Sequence, residues 1–217
     1  MYLISIDPGS RKFGYAVFEI NSEKLVDQGT IFLDKSDGTG IDITRNVRFA
    51  RAQKAMEELL GRYPGMITEA CFEEAFLGKN VNSTMVLSMA RGVLMAPLFA
   101  RMIPITDYPT KTAKTTALGT GSASKEDGIY LMKLEYSSSG LVDQLSEDAA
   151  DAMIVGKAHL IISKANRKRS NTSSSKGATT MQQYRKGCSN NIIASRSKKG
   201  GTSSRGSRDA WTKQFAQ

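Results

Sequence analysis

Cysteine and histidine are almost absent from this 217-residue sequence, which contains only Cys71, Cys188 and His159. Two cysteines cannot build a disulfide framework, and they cannot form a zinc site by themselves. A disulfide-stabilised secreted domain and a zinc module are therefore excluded. We expect a reduced, intracellular protein in which Cys71 is a small buried residue and His159 has a packing or capping role.

Long apolar runs are also lacking. No apolar run approaches the roughly 18–20 residues that span a bilayer. The first ten residues, MYLISIDPGS, have neither the basic region nor the apolar core of a signal peptide. The sequence therefore predicts a cytoplasmic protein without a membrane segment.

Acidic residues are nearly missing from the last quarter of the chain. Residues 164–217 contain 13 Lys and Arg but a single acid, Asp209, together with ten Ser and five Gly. The net charge of +9 comes from this segment, because residues 1–163 have 17 basic and 20 acidic side chains. So polar a segment cannot bury enough apolar surface to offset the entropy of ordering it. We predict a folded domain over 1–163 and a disordered, basic, low-complexity tail over 164–217; a merely solubilising tail is the alternative.

Hydrophobic periodicity predicts an α/β fold for the folded domain. Short apolar runs indicate strands, and apolar residues that recur about every 3.6 positions indicate helices. The predicted strands are 3–7, 13–20, 24–33, 67–73 and 103–107, and the predicted helices are 42–63, 82–101, 110–117, 123–135 and 145–163. Three antiparallel strands followed by two βα units predict a five-stranded mixed sheet flanked by helices.

Carboxylates stand where two of the buried strands end. Asp7 ends the first predicted strand and Glu73 the fourth, while Asp148 and Asp151 lie three residues apart on one face of the last helix. Acids in a first helical turn are ordinary capping charge, but capping does not explain acids that end apolar strands. Hard cations such as Mg²⁺ would relieve the repulsion of four clustered carboxylates. Two such ions about 4 Å apart would activate a water and stabilise the leaving oxygen of an in-line phosphate displacement.

Four motifs follow one another in the order of a known family. They are Ile6-Asp7-Pro8-Gly9-Ser10 with Gly14-Tyr15-Ala16-Val17; EEAFLGKN over 73–80 with Ser83 and Ala90-Arg91-Gly92; Lys114-Thr115-Thr116 with GTGSA over 119–123 and Lys125; and Asp148-Ala149-Ala150-Asp151-Ala152. Together they cover about residues 2–160 and resemble the RuvC family of Holliday-junction resolvases.

The resemblance implies a ribonuclease H-like fold and a homodimer that nicks two strands of a four-way DNA junction symmetrically. It implies Mg²⁺ as cofactor, two ions per active site, with Mn²⁺ as a substitute, and other branched DNAs as further ligands. A host branch-migration helicase is a conceivable partner that nothing in the sequence supports. Carried over by position, the metal-binding and catalytic carboxylates would be Asp7, Glu73, Asp148 and Asp151. The DNA contacts would be Phe76, Lys79, Arg91, Lys114 and Lys125, with Phe76 stacked on an unpaired base and the last two lysines near the cut.

The sequence departs from the family pattern at Glu74, where the family commonly has Gln. Alternation along a strand points Glu73 and Glu74 to opposite faces, and alignment selects Glu73 as the ligand. The tail has no counterpart in the family. Together with the divergent connecting segments, it suggests a member encoded by a phage or another mobile element, acting in a bacterial cell or a phage-infected host.

Three alternative functions remain open from the sequence. Asp7-x-Gly-Ser with Gly14-x-Ala also resembles the first phosphate loop of actin-like ATPases, but the only similar second string, Asp37-Gly38-Thr39-Gly40, precedes the first helix instead of lying in a second domain. Another ribonuclease H-like nuclease, acting on branched DNA or structured RNA, is the principal alternative. A non-catalytic junction-binding adaptor is the third, and the presence of all four acids argues against it.

Overall fold

Five strands form one mixed sheet in a computed structural model that describes residues 1–34, 43–74 and 80–172. The strands are β1 (Tyr2–Asp7), β2 (Lys12–Glu19), β3 (Leu25–Phe32), β4 (Ile67–Glu73) and β5 (Ile105–Tyr108). Their order across the sheet is β3-β2-β1-β4-β5. The β1–β2 and β2–β3 pairs are antiparallel, whereas β4 is parallel to both β1 and β5. The predicted five-stranded mixed sheet is confirmed.

Five α-helices accompany the sheet in these residues. They are α1 (Arg45–Gly61), α2 (Val81–Ala100), α3 (Thr110–Leu118), α4 (Lys125–Glu135) and α5 (Glu147–Thr172). Side-chain caps begin three of them: Thr44 accepts from the Val47 amide, Asn80 accepts from the Ser83 amide, and Ser124 forms a capping box with Asp127. Such caps satisfy backbone N–H groups that have no partner inside the helix. The structure thus contains all five helices that the sequence predicted.

Helix α5 is longer than the sequence indicated, because it ends at Thr172 instead of at residue 163. The first residues of the predicted tail are thus helical. The chain divides into two units, Met1–Arg169 and Ser170–Gln217. Residues 173–217 lie outside the described residues, so the disorder of the tail and the domain boundary at residue 163 stay predictions.

The sheet has a hydrophobic core on each face. Alternation along β1 directs Leu3 into one core, which is shared with α3, α4 and α5, and directs Ile4 and Ile6 into the other, which is shared with α1 and α2. On β4 the same alternation sends Cys71 to the α5 face and Phe72 to the opposite face. Cys71 is fully buried, as predicted. Side chains that continue the Leu3 and Cys71 rows therefore lie on the face that α5 covers.

Helix α5 lies unusually close to the sheet. A Cβ on Gly14 would lie 1.9 Å from the backbone oxygen of Asp148, and a Cβ on Gly156 would lie 2.4 Å from the Phe18 ring. Ala149 and Ala150 at the start of α5 are buried. Small residues on both surfaces thus allow the first turn of α5 to reach the ends of β1 and β2.

His159 is buried on α5 and links it to two strands. Its Nδ1 is 3.2 Å from the Tyr108 hydroxyl and its Nε2 is 2.9 Å from Oε2 of Glu69. The hydrogen bond from His159 lowers the pKa of Glu69 below its usual value. The predicted packing role of His159 is confirmed.

Helix α2 corrects one expectation. By length and composition this 20-residue helix could cross a membrane, which corrects the expectation that no apolar run approaches roughly 18–20 residues. The same helix contributes Ala90, Leu94 and Leu98 to the core that it shares with α1. Core helices of soluble proteins can be equally long and apolar, so length and composition are weak evidence for a membrane span.

Candidate active site

Two of the predicted carboxylates meet where neighbouring parallel strands end. The β1–β4 register pairs Ile6 with Phe72, which puts Asp7 beside Glu73. Both continue the rows that face α5, and they are close enough for the charge of Glu73 to raise the pKa of Asp7. Thr110, at the start of α3, donates a hydrogen bond to Oε1 of Glu73. Glu74 is exposed beyond the end of β4, in the row of Phe72 that faces away from α5.

The other two carboxylates come from the first turns of α5. Ser146 precedes this helix, and its hydroxyl accepts from the Ala149 amide. Thr30 on β3 is 2.7 Å from the Ser146 hydroxyl and donates to Oδ2 of Asp148 at 3.5 Å. Because Gly14 lets the helix approach β2, the side chains of Asp148 and Asp151 act electrostatically on Asp7.

The four carboxylates form an electrostatically unfavourable cluster. Burial, followed by the charges of Glu73 and Asp151 and a smaller effect of Asp148, raises the pKa of Asp7 to about 9. Burial and Glu73 raise the pKa of Asp151 to about 6, although Lys114 and Lys125 oppose the rise. Desolvation and like charge both disfavour an ionised carboxylate. At neutral pH both effects therefore favour a protonated carboxyl in the cluster when no cation is bound.

The chemistry of this cluster fits hard divalent cations. Carboxylate oxygens are the ligands that Mg²⁺ prefers, and a cation would remove the repulsion that raises the pKa of Asp7. Within the described ranges, however, no three such side chains are already arranged to hold an ion. Two of these side chains already have partners: Glu73 accepts from Thr110, and Asp148 accepts from Lys12. Occupation by a metal would require these side chains to exchange partners.

Lysines surround the carboxylates. Lys12 Nζ donates to Oδ2 of Asp148 at 2.7 Å, and this hydrogen bond raises the pKa of Lys12. Lys125 forms an ion pair with Glu147, the residue before Asp148. Lys114 donates to the carbonyl of Ala123 at 2.8 Å. Two of the predicted DNA-contacting lysines, 114 and 125, thus lie near enough to affect the pKa of Asp151.

Arg91, another predicted DNA contact, has partners outside this cluster. Arg91 forms an ion pair with Asp107, and its guanidinium lies 5.8 Å from the centre of the Phe72 ring. Its side chain is only 17% exposed, so a DNA contact by Arg91 stays a prediction that would require this ion pair to open. Phe76 and Lys79 lie outside the described residues.

Sequence reasoning missed the polar side chains that hold the carboxylates. Lys12, Thr30, Thr110 and Ser146 stand outside the four motifs of the sequence. One signal was available for Lys12, since it stands two positions before Gly14 on the same face of a strand next to Asp7. For Thr30 and Thr110 no local pattern pointed to the site.

The fold and the carboxylates define an α/β protein of the ribonuclease H-like class, with an acidic cluster at one rim of the sheet. A family model described as "Crossover junction endodeoxyribonuclease RuvC" matches residues 3–159. The chain therefore belongs to the RuvC family, whose members carry the name of a nuclease that hydrolyses phosphodiester bonds.

Curated relatives agree with this assignment. The RuvC of Porphyromonas gingivalis is 32% identical over 161 residues, which cover 72% of this chain and 80% of the relative. The RuvC of Francisella tularensis subsp. novicida is 30% identical over 167 residues, covering 76% of this chain and 91% of the relative. Among solved structures, Thermus thermophilus RuvC has a TM-score of 0.61 at 20% identity and covers 76% of this chain and 97% of its own. The predicted ribonuclease H-like fold is confirmed.

Proposed function

We propose that this protein is a divalent-metal-dependent endonuclease that resolves four-way DNA junctions by paired, symmetric nicks. The observation that carries the proposal is the carboxylate cluster of Asp7, Glu73, Asp148 and Asp151, in which burial and then mutual repulsion raise the pKa of Asp7 to about 9. Family membership supports the reaction. The substrate is supported by a Thermus thermophilus RuvC of the same fold (TM-score 0.61, 19% identity) solved in complex with a Holliday junction substrate. The proposed setting is the cytoplasm of a bacterial cell or of a phage-infected host.

The four carboxylates would hold the cofactor, two Mg²⁺ per site, with Mn²⁺ as a substitute. Divalent ions bound there would neutralise the cluster and polarise the phosphodiester bond to be cut. The chain's own residues would orient the ligands: Thr110 through Glu73, and Thr30 through Asp148. Correct orientation of ligands by such neighbours matters for metal affinity as well as for rate.

The DNA would be held by cations beside the cluster. Lys114 and Lys125 are proposed to contact phosphates near the cut, where their charges offset those of the carboxylates. On the resemblance to the family, Lys79 and Arg91 are proposed to contact the DNA backbone as well. Phe76 is proposed to stack on a base at the junction centre, an interaction typically worth ~1–3 kcal/mol.

Symmetric cutting requires two copies of the chain, and α2 offers a surface for pairing. Five of the exposed positions on this helix follow each other at spacings of four and three residues: Met85, Met89, Gly92, Ala96 and Phe99. This is the spacing of an apolar seam between packed helices. We propose that a second copy covers this stripe, hereafter the α2 stripe.

The test is cleavage of three labelled substrates, a four-way junction, a linear duplex and a structured RNA, each with Mg²⁺ and with chelator. We expect junction cleavage only with the metal ion, at symmetric positions on two strands. Preferential cleavage of the RNA would favour another ribonuclease H-like nuclease. Tight junction binding without cleavage under any metal would favour a non-catalytic adaptor.

A further inference from the structure

The carboxylate of Asp148 is held by a lysine to which no motif assigned a role. Lys12 Nζ donates to Oδ2 of Asp148 at 2.7 Å, and the two residues are 136 positions apart in the sequence. We propose that Lys12 is a resident counter-cation of the metal site, which occupies Asp148 in the metal-free protein, yields it to a divalent cation and then contacts a DNA phosphate. This inference rests on the proposed function and adds a positioning residue to the same site.

The fold delivers Lys12 to Asp148. Residues two apart on a strand point to the same face, so Lys12 and Gly14 both face α5. Gly14 has no Cβ, which lets the backbone of Asp148 lie against β2. Lys12, one pleat nearer the rim, is therefore opposite the Asp148 side chain, and the contact is built into the packing of α5 on the sheet.

Lysine and a metal ion would compete for the same atom. The ammonium group occupies Oδ2 of Asp148, has three donors and offers no lone pair to a metal. A divalent cation close to that oxygen would also repel the ammonium. Thr30 donates to the same oxygen and is itself hydrogen-bonded to Ser146. Because this neutral contact carries no charge, it can keep Asp148 oriented after Lys12 leaves.

Lys12 is able to leave at small cost. Its side chain is 46% exposed, whereas that of Asp148 is 17% exposed. Exposed ion pairs change an equilibrium by a factor of about five or less. The lysine stem is flexible, and the charge of Lys125 acts repulsively on Lys12. Once released, Lys12 would add its charge to Lys114 and Lys125 at the edge where a phosphate would bind.

Metal binding and DNA binding are therefore coupled through Lys12. A metal ion frees the ammonium for phosphate, and a phosphate that takes the ammonium frees Asp148 for the metal. By thermodynamic linkage, each ligand raises the affinity for the other by the same factor. Without Lys12 the metal would bind more tightly to the DNA-free protein. Bound metal would then increase the affinity for DNA less than it does in the wild type.

The experiment uses the full-length protein and two binding measurements. Mn²⁺ is titrated without DNA, with free Mn²⁺ followed by electron paramagnetic resonance, and junction affinity is measured by fluorescence anisotropy in chelator and in Ca²⁺. We expect Lys12→Met to bind Mn²⁺ about fivefold more tightly than wild type and to gain less junction affinity from Ca²⁺. Lys12→Arg, which keeps the charge, should resemble wild type. Lys54→Met is the matched control, because Lys54 is an exposed lysine that pairs with a carboxylate of its own helix α1, Glu58, away from the cluster.

Two results would overturn the inference, and they can be told apart. Equal Mn²⁺ affinity of folded wild type and Lys12→Met, with an equal gain from Ca²⁺, would remove the role of Lys12 and leave the proposed nuclease intact. Failure of the wild-type protein to bind Mn²⁺ would overturn the metal site itself and Lys12 with it.

Discussion

At the scale of single residues, the site places carboxylates so close together that their ionised forms are destabilised in the folded protein. Asp7 is half-buried beside Glu73, and desolvation and the charge of Glu73 raise its pKa to about 9. The folded protein without a cation therefore holds Asp7 in its neutral form at a pH where the unfolded chain has it ionised. Groups kept for chemistry often lower stability in this way.

Replacing Asp7 by Asn is expected to stabilise the metal-free protein, and more so at high pH. Because the pKa of Asp7 is higher in the folded than in the unfolded protein, its ionisation opposes folding. This effect operates between about pH 4, the unfolded pKa, and about pH 9, the folded pKa. Below pH 4 both states are protonated and the effect disappears. Urea unfolding in chelator should show that the advantage of Asp7→Asn grows by roughly 2–4 kcal/mol between pH 5 and pH 8.

The same variant should lose cleavage in Mg²⁺ while it keeps junction binding, because a ligand charge is removed at nearly constant volume. Asp143→Asn is the control, since Asp143 is exposed and is not among the groups that raise the pKa of Asp7. A constant stability difference across this pH range would contradict the electrostatic description of Asp7.

The adjacent glutamates at the end of β4 provide a second residue-scale prediction. Glu73 lies beside Asp7 and is bonded to Thr110, whereas Glu74 is exposed and in the row that faces away from α5. Glu73→Gln should therefore reduce the single-turnover rate by at least about 100-fold, and Glu74→Gln by less than about threefold. Junction cleavage at saturating enzyme measures both. The reverse pattern would show that the alignment is displaced by one residue.

At the scale of elements, the site depends on how closely α5 packs on β2. Gly14 is the contact point, because a Cβ there would overlap the backbone of Asp148, which has no flexible end to move. The buried alanines of the first turn serve the same approach. Two of the four carboxylates are thus positioned by the absence of a side chain on a neighbouring strand.

Gly14→Ala is expected to move α5 away from the sheet. The protein should lose roughly 1–3 kcal/mol of stability, as overpacked cores do, and most of its cleavage activity, because Asp148 and Asp151 would leave the cluster. Gly61→Ala at the end of α1 is the matched control, since a Cβ there meets no atom within 4 Å. Thermal unfolding and junction cleavage of both variants measure the difference. Wild-type activity in Gly14→Ala would show that close packing is not required.

At the scale of the whole molecule, the α2 stripe predicts how copies of the chain associate. Met89→Glu places a charge in the middle of the stripe and should convert a dimer into a monomer, because burial of an unpaired charge is strongly unfavourable. Light scattering after size-exclusion chromatography measures the mass. Tyr130→Glu is the control, as Tyr130 is an exposed aromatic residue on α4, outside the stripe. A dimer that persists in Met89→Glu would move the interface elsewhere.

The basic tail is predicted to supply sequence-independent attraction to DNA. Truncation after Thr172, where α5 ends, leaves the described fold complete and removes nine Lys and Arg. If about six of these contact phosphates, the log–log salt slope of binding should fall by about five. Junction and duplex affinities at several salt concentrations test this, with an unchanged single-turnover rate at saturating enzyme. An equal slope for both lengths would show that the tail does not bind DNA.

The sequence by itself determined the strands and the helices, and it predicted the four acids of the candidate site. Apolar periodicity is a local property, so each element could be located within a few residues, and α5 alone was substantially misjudged. The order of the motifs identified the family. The choice of Glu73 over Glu74 came from alignment, and the alternation of Cys71 and Phe72 between the two cores agrees with it.

Only the tertiary structure decided which polar groups surround the acids. Lys12 and Thr30 reach Asp148 across more than 100 residues of sequence, and Thr110 reaches Glu73 from another element. Such contacts depend on which helix lies over which strand and how closely it packs, and no local pattern encodes that distance. The same long-range packing put Arg91 between Asp107 and Phe72. The local sequence indicates which carboxylates form the cluster. The packing of α5 on the sheet determines which cations and hydroxyls lie beside them.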